Sequence, residues 1–197
     1  MNPTAPPGAR KTSRNIALAG FMGSGKTTVG SLLARQLAWR FVDLDARIEE
    51  VSGLHITEIF ERLGEPAFRE IEREQLQHAL GQAAEQSTPM VLALGGGTYA
   101  QPANIELLRG CGCAVVWLDC PMGLLLARCA TLTERPLFRD EKSFRQLYEQ
   151  RLPFYRQANY RVDARGESPR VVEQILSLGI LETALGITQS AAGIIKP

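Results

Sequence analysis

The segment Gly20-Phe21-Met22-Gly23-Ser24-Gly25-Lys26-Thr27 fills every fixed position of the pattern G-x-x-x-x-G-K-[ST], and nothing else in the 197 residues constrains the fold as tightly. Glycines at these positions let successive backbone N–H groups turn toward an anion, and a helix beginning at Gly25 adds the positive end of its dipole. Such a loop needs a strand before it and a helix behind it. The flanks comply. The apolar run Ile16-Ala17-Leu18-Ala19 precedes the loop, and Val29, Leu32, Leu33 and Leu37 follow it at three- and four-residue spacing. Lys26 is suited to reach β- and γ-phosphates, and the Thr27 hydroxyl to hold magnesium. The lysine is informative because the chain has eighteen arginines and four lysines, and Lys26 is the only lysine between positions 12 and 141.

Beyond the loop, Arg40–Asp43 reads as a second strand, followed by helices over 46–62 and 66–82, the later one opened by Pro66. Met90–Leu94 is a third apolar run, ended by Gly95-Gly96-Gly97, and Ala114–Leu118 is a fourth, ended by Asp119 and Pro121. A helix over 122–130, a polar, basic loop (Thr131–Glu141) and a long helix ending near Ala158 come next. Tyr160–Val162 reads as a fifth strand, and Pro169 opens a last helix reaching about Leu178. Short apolar runs alternating with amphipathic helices predict a parallel sheet, because parallel strands need long crossovers. Such sheets bind ligands at the carboxyl ends of their strands, and the glycines and aspartates fall there.

Residues 1–14, rich in Pro, Ser, Thr and basic residues, read as a disordered tail, and 179–197 as an extension without assigned structure. A net charge of +1 supplies no global field for nucleic acid or an acidic membrane. No apolar run approaches the ~18–20 residues of a membrane span, and the first residues lack the apolar stretch of a secretory signal. Cys111, Cys113, Cys120 and Cys129 form no C-x-x-C pair, and His55 and His78 are distant, so no zinc spacing is present. Free thiols and a cytoplasmic location are the expectation.

A phosphate loop alone does not separate a kinase from an ATPase or a switch, although a guanine-reading N-K-x-D is absent. Asp43-Leu44-Asp45 closes the second strand, and period-two alternation puts both carboxylates on one side. One could hold water on magnesium while the other accepts hydrogen bonds from substrate hydroxyls; the alternative is a solvated strand end with an Asp helix cap. Arg69 and Glu72 are three apart on a helix and share a face. The glutamate could steady the guanidinium while its fork grips a carboxylate, unless the two are only a surface ion pair. The triple glycine lets a ligand approach backbone N–H groups, or is a plain turn. Arg135-Pro136-Leu137 sits in the basic loop, and Arg151-Leu152-Pro153-Phe154-Tyr155 in the late helix.

In this order, GFMGSGKTTVG, D-L-D, F-R-E-I-E, the triple glycine, R-P-L and R-x-P-x-Y closely resemble the shikimate kinases, which lie within the nucleoside-monophosphate-kinase-like P-loop proteins, over about residues 15–178. The resemblance implies a three-layer α/β/α domain over 15–178, with a five-stranded parallel sheet, a helical substrate-binding region and a closing lid. It implies transfer of the γ-phosphate of ATP to the 3-hydroxyl of shikimate, by a monomer using Mg2+, in the chorismate pathway to aromatic amino acids. ATP would be held by Gly23, Ser24, Gly25, Lys26, Thr27 and Thr28, with Arg128 along the adenine and Arg135 swinging in on the lid. Asp45, Arg69, Gly96, Gly97 and Arg151 would hold shikimate, the arginines taking its carboxylate and Asp45 its hydroxyls. Thr27 would ligate the metal with Asp43 in its outer shell, and Lys26, Asp45 and Arg135 would be the catalytic groups. The loop Arg165-Gly166-Glu167-Ser168-Pro169 departs from the family by lacking a further basic residue, which leaves its ATP contact open. Two rival readings remain at this point: a kinase for another small polyol or nucleotide, and a non-catalytic ligand-sensing relative.

Overall fold

A strand buried on both faces cannot alternate polar and apolar residues. Three segments obey this rule: β1 (Asn15–Ala19), β3 (Met90–Ala93) and β4 (Ala114–Asp119) are buried along nearly their whole length. The computed structural model, which describes residues 15–130 and 140–180, places them at the centre of a parallel sheet of order β2-β3-β1-β4-β5. The edge strands are β2 (Arg40–Asp43) and β5 (Tyr160–Asp163), and both carry charged residues. All four pairings are parallel, with Leu18 beside Ala93, Ala19 beside Trp117 and Asp43 beside Ala93. The phosphate loop after β1 therefore emerges between the carboxyl ends of β3 and β4.

Helix α1 (Lys26–Leu37) lays Val29, Leu33 and Ala34 against the sheet. It starts without a side-chain cap, because Gly25 precedes it in the left-handed region (φ 95°) and the first turn presents bare N–H groups. The expected helix over 46–62 is two pieces, α2 (Leu44–Ser52) and the first part of α3 (Ile56–Glu85). Gly53 ends α2 in the left-handed conformation (φ 66°), its N–H returning to the Glu49 carbonyl. A non-helical break at Gly64 then divides α3, and Pro66 opens the part that carries Arg69 and Glu72. The segment between the triple glycine and β4, for which no element was expected, forms a 3-10 turn (Thr98–Ala100) and helix α4 (Pro102–Gly110). Helices α5 (Met122–Ala130), α6 (Glu141–Tyr155) and α7 (Ser168–Leu176) complete the described chain; α6 stops three residues before the expected Ala158.

No helix among the described residues is long and apolar enough to cross a membrane. The tail over 1–14, most of the basic loop with Arg135, and residues 181–197 lie outside the described residues. Cys113, Cys120 and Cys129 are buried and Cys111 is exposed, all four as free thiols, and the described residues hold no cluster suited to a metal among His, Cys, Asp and Glu.

Candidate active site

The donor end is built by the loop between β1 and α1. Gly23 (φ 79°) and Gly25 adopt the left-handed region, which turns their neighbours' N–H groups inward. Lys26 is almost fully buried, and its ammonium donates to the carbonyls of Gly20 (2.9 Å) and Phe21 (3.0 Å), so the loop holds its own cation beside the cradle. Gly23 to Thr28, Asp43, Asp45 and Arg128 all line one cleft of about 370 Å³. Arg128 reaches it from α5 and donates to the Gly23 carbonyl at 3.2 Å.

The two aspartates come together differently from the alternation read in the sequence. Helix α2 begins at Leu44, so strand periodicity stops at Asp43. Asp43 is the N-cap: its Oδ1 accepts from the N–H groups of Asp45 (3.1 Å) and Ala46 (3.3 Å). Its Oδ2 accepts from the Thr27 hydroxyl at 2.6 Å. The helix-cap alternative thus holds along with the link to the phosphate loop, because a carboxylate has an oxygen for each. Asp45 sits in the first turn of α2, facing the same cleft.

The acceptor end is organised by the triple glycine. A Cβ at Gly95 would collide with Asp45 Oδ1 and lie 2.8 Å from Thr98 Oγ1. One at Gly97 would lie 2.7 Å from Arg69 Nη2 and 3.1 Å from Arg151 Nη2. One at Gly96 would lie 3.4 Å from the Met22 backbone nitrogen, inside the phosphate loop. Asp45, both guanidinium groups and the phosphate loop therefore converge on one turn of three residues. The glycines are there because side chains would occupy that space.

Two arginines beside one turn repel each other unless an anion joins them. Their surroundings differ. Burial alone would lower the Arg69 guanidinium, but Glu72 and Glu65 outweigh it and raise it above its ordinary value. Arg69 donates to Glu72 Oε2 and to Glu65 Oε1, each at 2.9 Å. Glu72 is only 1% exposed, and its other oxygen accepts from Thr98 Oγ1 at 2.6 Å, so this is a buried clamp and not a surface pair. Arg151 is 7% exposed, and burial, with Arg69 nearby, pushes it down. Its guanidinium lies 5.5 Å from the Phe21 ring centre.

Thr98, Phe21 and Met22 are parts of this site that the sequence reading did not single out, and from the loop Arg165–Pro169, whose contact was open, Gly166 and Ser168 line the cleft beside the phosphate loop. The departing loop thus faces the cleft, but Arg165 does not serve there: it turns back to pair with Asp163. Arg135 lies outside the described residues.

A family model described as shikimate kinase matches residues 22–178. The chain belongs to the shikimate kinase family. A shikimate kinase of Persephonella marina is 42% identical over 165 residues, covering 83% of this chain and 97% of that one. A shikimate kinase from Acinetobacter baumannii, solved in complex with shikimate, superposes with a TM-score of 0.80 at 38% identity, covering 90% of this chain and 98% of the other. The Aquifex aeolicus shikimate kinase gives 0.73 at 34% identity, covering 87% and 99%. As a member of this family the chain is an ATP-dependent kinase, a phosphotransferase.

Proposed function

We propose that the chain transfers the γ-phosphate of ATP to the 3-hydroxyl of shikimate, giving shikimate 3-phosphate and ADP. The observation that carries the reading is the convergence of Arg69, Arg151 and Asp45 on Gly95–Gly97, beside the phosphate loop. Two guanidinium groups on one turn suit a carboxylate, and an adjacent carboxylate suits ring hydroxyls. Arg69 and Arg151 grip the acid, Gly96 and Gly97 leave it room, and Asp45 accepts from the hydroxyls. The 3-hydroxyl oxygen then bonds to the γ-phosphorus as the bond to the bridging β,γ-oxygen breaks, and Asp45 takes the hydroxyl proton.

Gly23 to Thr28 cradle the phosphates, Lys26 leaves its loop carbonyls to neutralise the transferring group, and Arg128 lies along the base. Magnesium fits this site: the Thr27 hydroxyl spends its proton on Asp43, so its lone pairs stay free for a hard cation, and Asp43 is placed for the outer shell. When bound, the metal would neutralise charge on the β- and γ-oxygens. Arg135 closes from the lid as an arginine finger, worth on the order of 10³-fold in turnover. The kinase unit is 15–178, acting as a monomer in the cytoplasm.

A coupled assay for ADP with shikimate, gluconate or a nucleoside monophosphate as acceptor, run beside Asp45→Asn, tests the reading. Turnover with shikimate that collapses in the variant supports it; no ADP from shikimate with the wild type overturns it. An Arg135→Ala enzyme with unchanged turnover removes the finger role.

A further inference from the structure

We propose that the Tyr155 phenol is a positioning residue that aims Arg151 at the acceptor's carboxylate, and so sets the preference for an acidic acceptor. The inference rests on the proposed function and adds to it a residue outside the substrate shell.

Arg151 needs such a device more than Arg69 does. Arg69 is fixed by two carboxylates, whereas Arg151 makes no ion pair with any described residue despite being buried. A long side chain without a charged anchor has freedom to turn away from its ligand. What Arg151 does have is Tyr155 one helical turn further along α6, and the two meet the same turn: Arg151 Nη1 lies 3.6 Å from where a Cβ at Gly96 would sit.

Tyr155 is fully buried, and its hydroxyl donates to the Gly96 carbonyl at 2.6 Å. A phenol has one proton. With that proton committed to Gly96, the phenol ties α6 to the glycine turn and has only lone pairs left for a nearby cation such as Arg151. It favours the charged guanidinium and cannot itself donate to a bound carboxylate. The ring is held in turn by Trp117 of β4, stacked at 6.1 Å with 23° between the planes. The carbonyl it grips belongs to the same turn that Arg151 faces at Gly97. Tyr155 therefore registers the arginine against the turn over which the acid lies. Burial raises the phenol well above its ordinary value, which keeps this proton in place across working pH.

Tyr155→Phe removes the oxygen and keeps the ring on Trp117. The experiment compares kcat/KM for shikimate with kcat/KM for its uncharged carboxamide, in wild type and variant. The ratio does not depend on the folded fraction of a sample. In the variant the preference for the acid should fall about tenfold, since the Gly96 carbonyl loses its buried donor and the turn that registers Arg151 is released. The loss should appear as a raised KM for shikimate, with kcat and the KM for ATP within about threefold of wild type. An unchanged ratio, an equal loss for both acceptors, or a variant that yields no folded enzyme overturns the proposal. A wild type inactive on shikimate overturns the proposed function as well, which separates the two failures.

Discussion

Gly97→Ala is the sharpest perturbation the acceptor site offers. Gly97 has φ −108°, an ordinary backbone conformation, so alanine adds a methyl group without backbone strain. That methyl would lie 2.7 Å from Arg69 Nη2, and ordinary contact begins at 3.4 Å, so the guanidinium must retreat by 3.4 − 2.7 = 0.7 Å. Arg151 Nη2, at 3.1 Å, must give by 0.3 Å. Arginine tips usually yield easily, but Arg69 is tied to the buried Glu72, and Glu72 to Thr98. The methyl also occupies the space where the carboxylate would rest. Losing two charge-assisted hydrogen bonds, each about 1.5–3 kcal/mol, places the penalty at about 3–4 kcal/mol once partial compensation is allowed. That corresponds to roughly 10²–10³-fold in kcat/KM for shikimate.

The assay is steady-state ADP release with shikimate and ATP varied separately, beside thermal unfolding. The KM for ATP should stay within about threefold of wild type, because the phosphate loop is untouched. A Gly97→Ala enzyme with wild-type kcat/KM for shikimate would refute the reasoning, since the acid could not then lie over this turn.

Asp43→Asn keeps a good helix cap but removes the charge beside Thr27, so folding should hold while the magnesium needed for half-maximal rate rises by about 10–100-fold; a magnesium titration checks it. Burial pushes the Cys113 thiol up to about 12 and raises Cys120, while Cys111 is exposed, so a thiol reagent at pH 8 should label only Cys111 in the folded protein and all four thiols in denaturant. Hydrogen bonds from Arg165 hold the Asp163 carboxyl down at about 2, against an ordinary 3.8. Its contribution to stability is present above pH 3.8 and is lost as pH falls through about 2, so Asp163→Asn should lower the Tm slightly at pH 7 and the gap should close in acid. Melting curves from pH 7 to 2 decide it.

How legible these features were in the sequence depended on whether a neighbour along the chain or in space determined them. The strand, phosphate loop and helix over Asn15–Leu37 were readable because each needs only its own residues: an apolar run, glycines, a 3.6-residue period. Helix α4 has a readable signal in Pro102 at its first turn with Ile105 and Leu108 on one face, but a helix of nine residues gives that pattern little length. Asp43 and Asp45 do face one cleft, but not through strand alternation, since Asp43 ends a strand and caps a helix at once. The burial of Glu72 was out of reach. A glutamate on a helix is ordinarily solvated, and the pairing with Arg69 needs Thr98, 26 residues away, to satisfy the other oxygen before burial is tolerable.

The two ends of the site are therefore encoded on different terms, and that has a physical consequence. The donor end is largely one contiguous segment, so its geometry is fixed locally and survives changes elsewhere. The acceptor end draws Asp45 from α2, Arg69 and Glu72 from α3, the glycine turn from behind β3, and Arg151 with Tyr155 from α6. Four segments must be docked before that end exists. Arg69 is held through Glu72 and Thr98, the residue after the turn, and the helix that carries Arg151 is held through Tyr155 to Gly96 within it. The turn is thus the common reference for both guanidinium groups, which explains why chemistry at the acceptor should be more sensitive to distant packing than nucleotide binding is. In a series of core variants that loosen α3 or α6, shikimate KM should drift before the KM for ATP does.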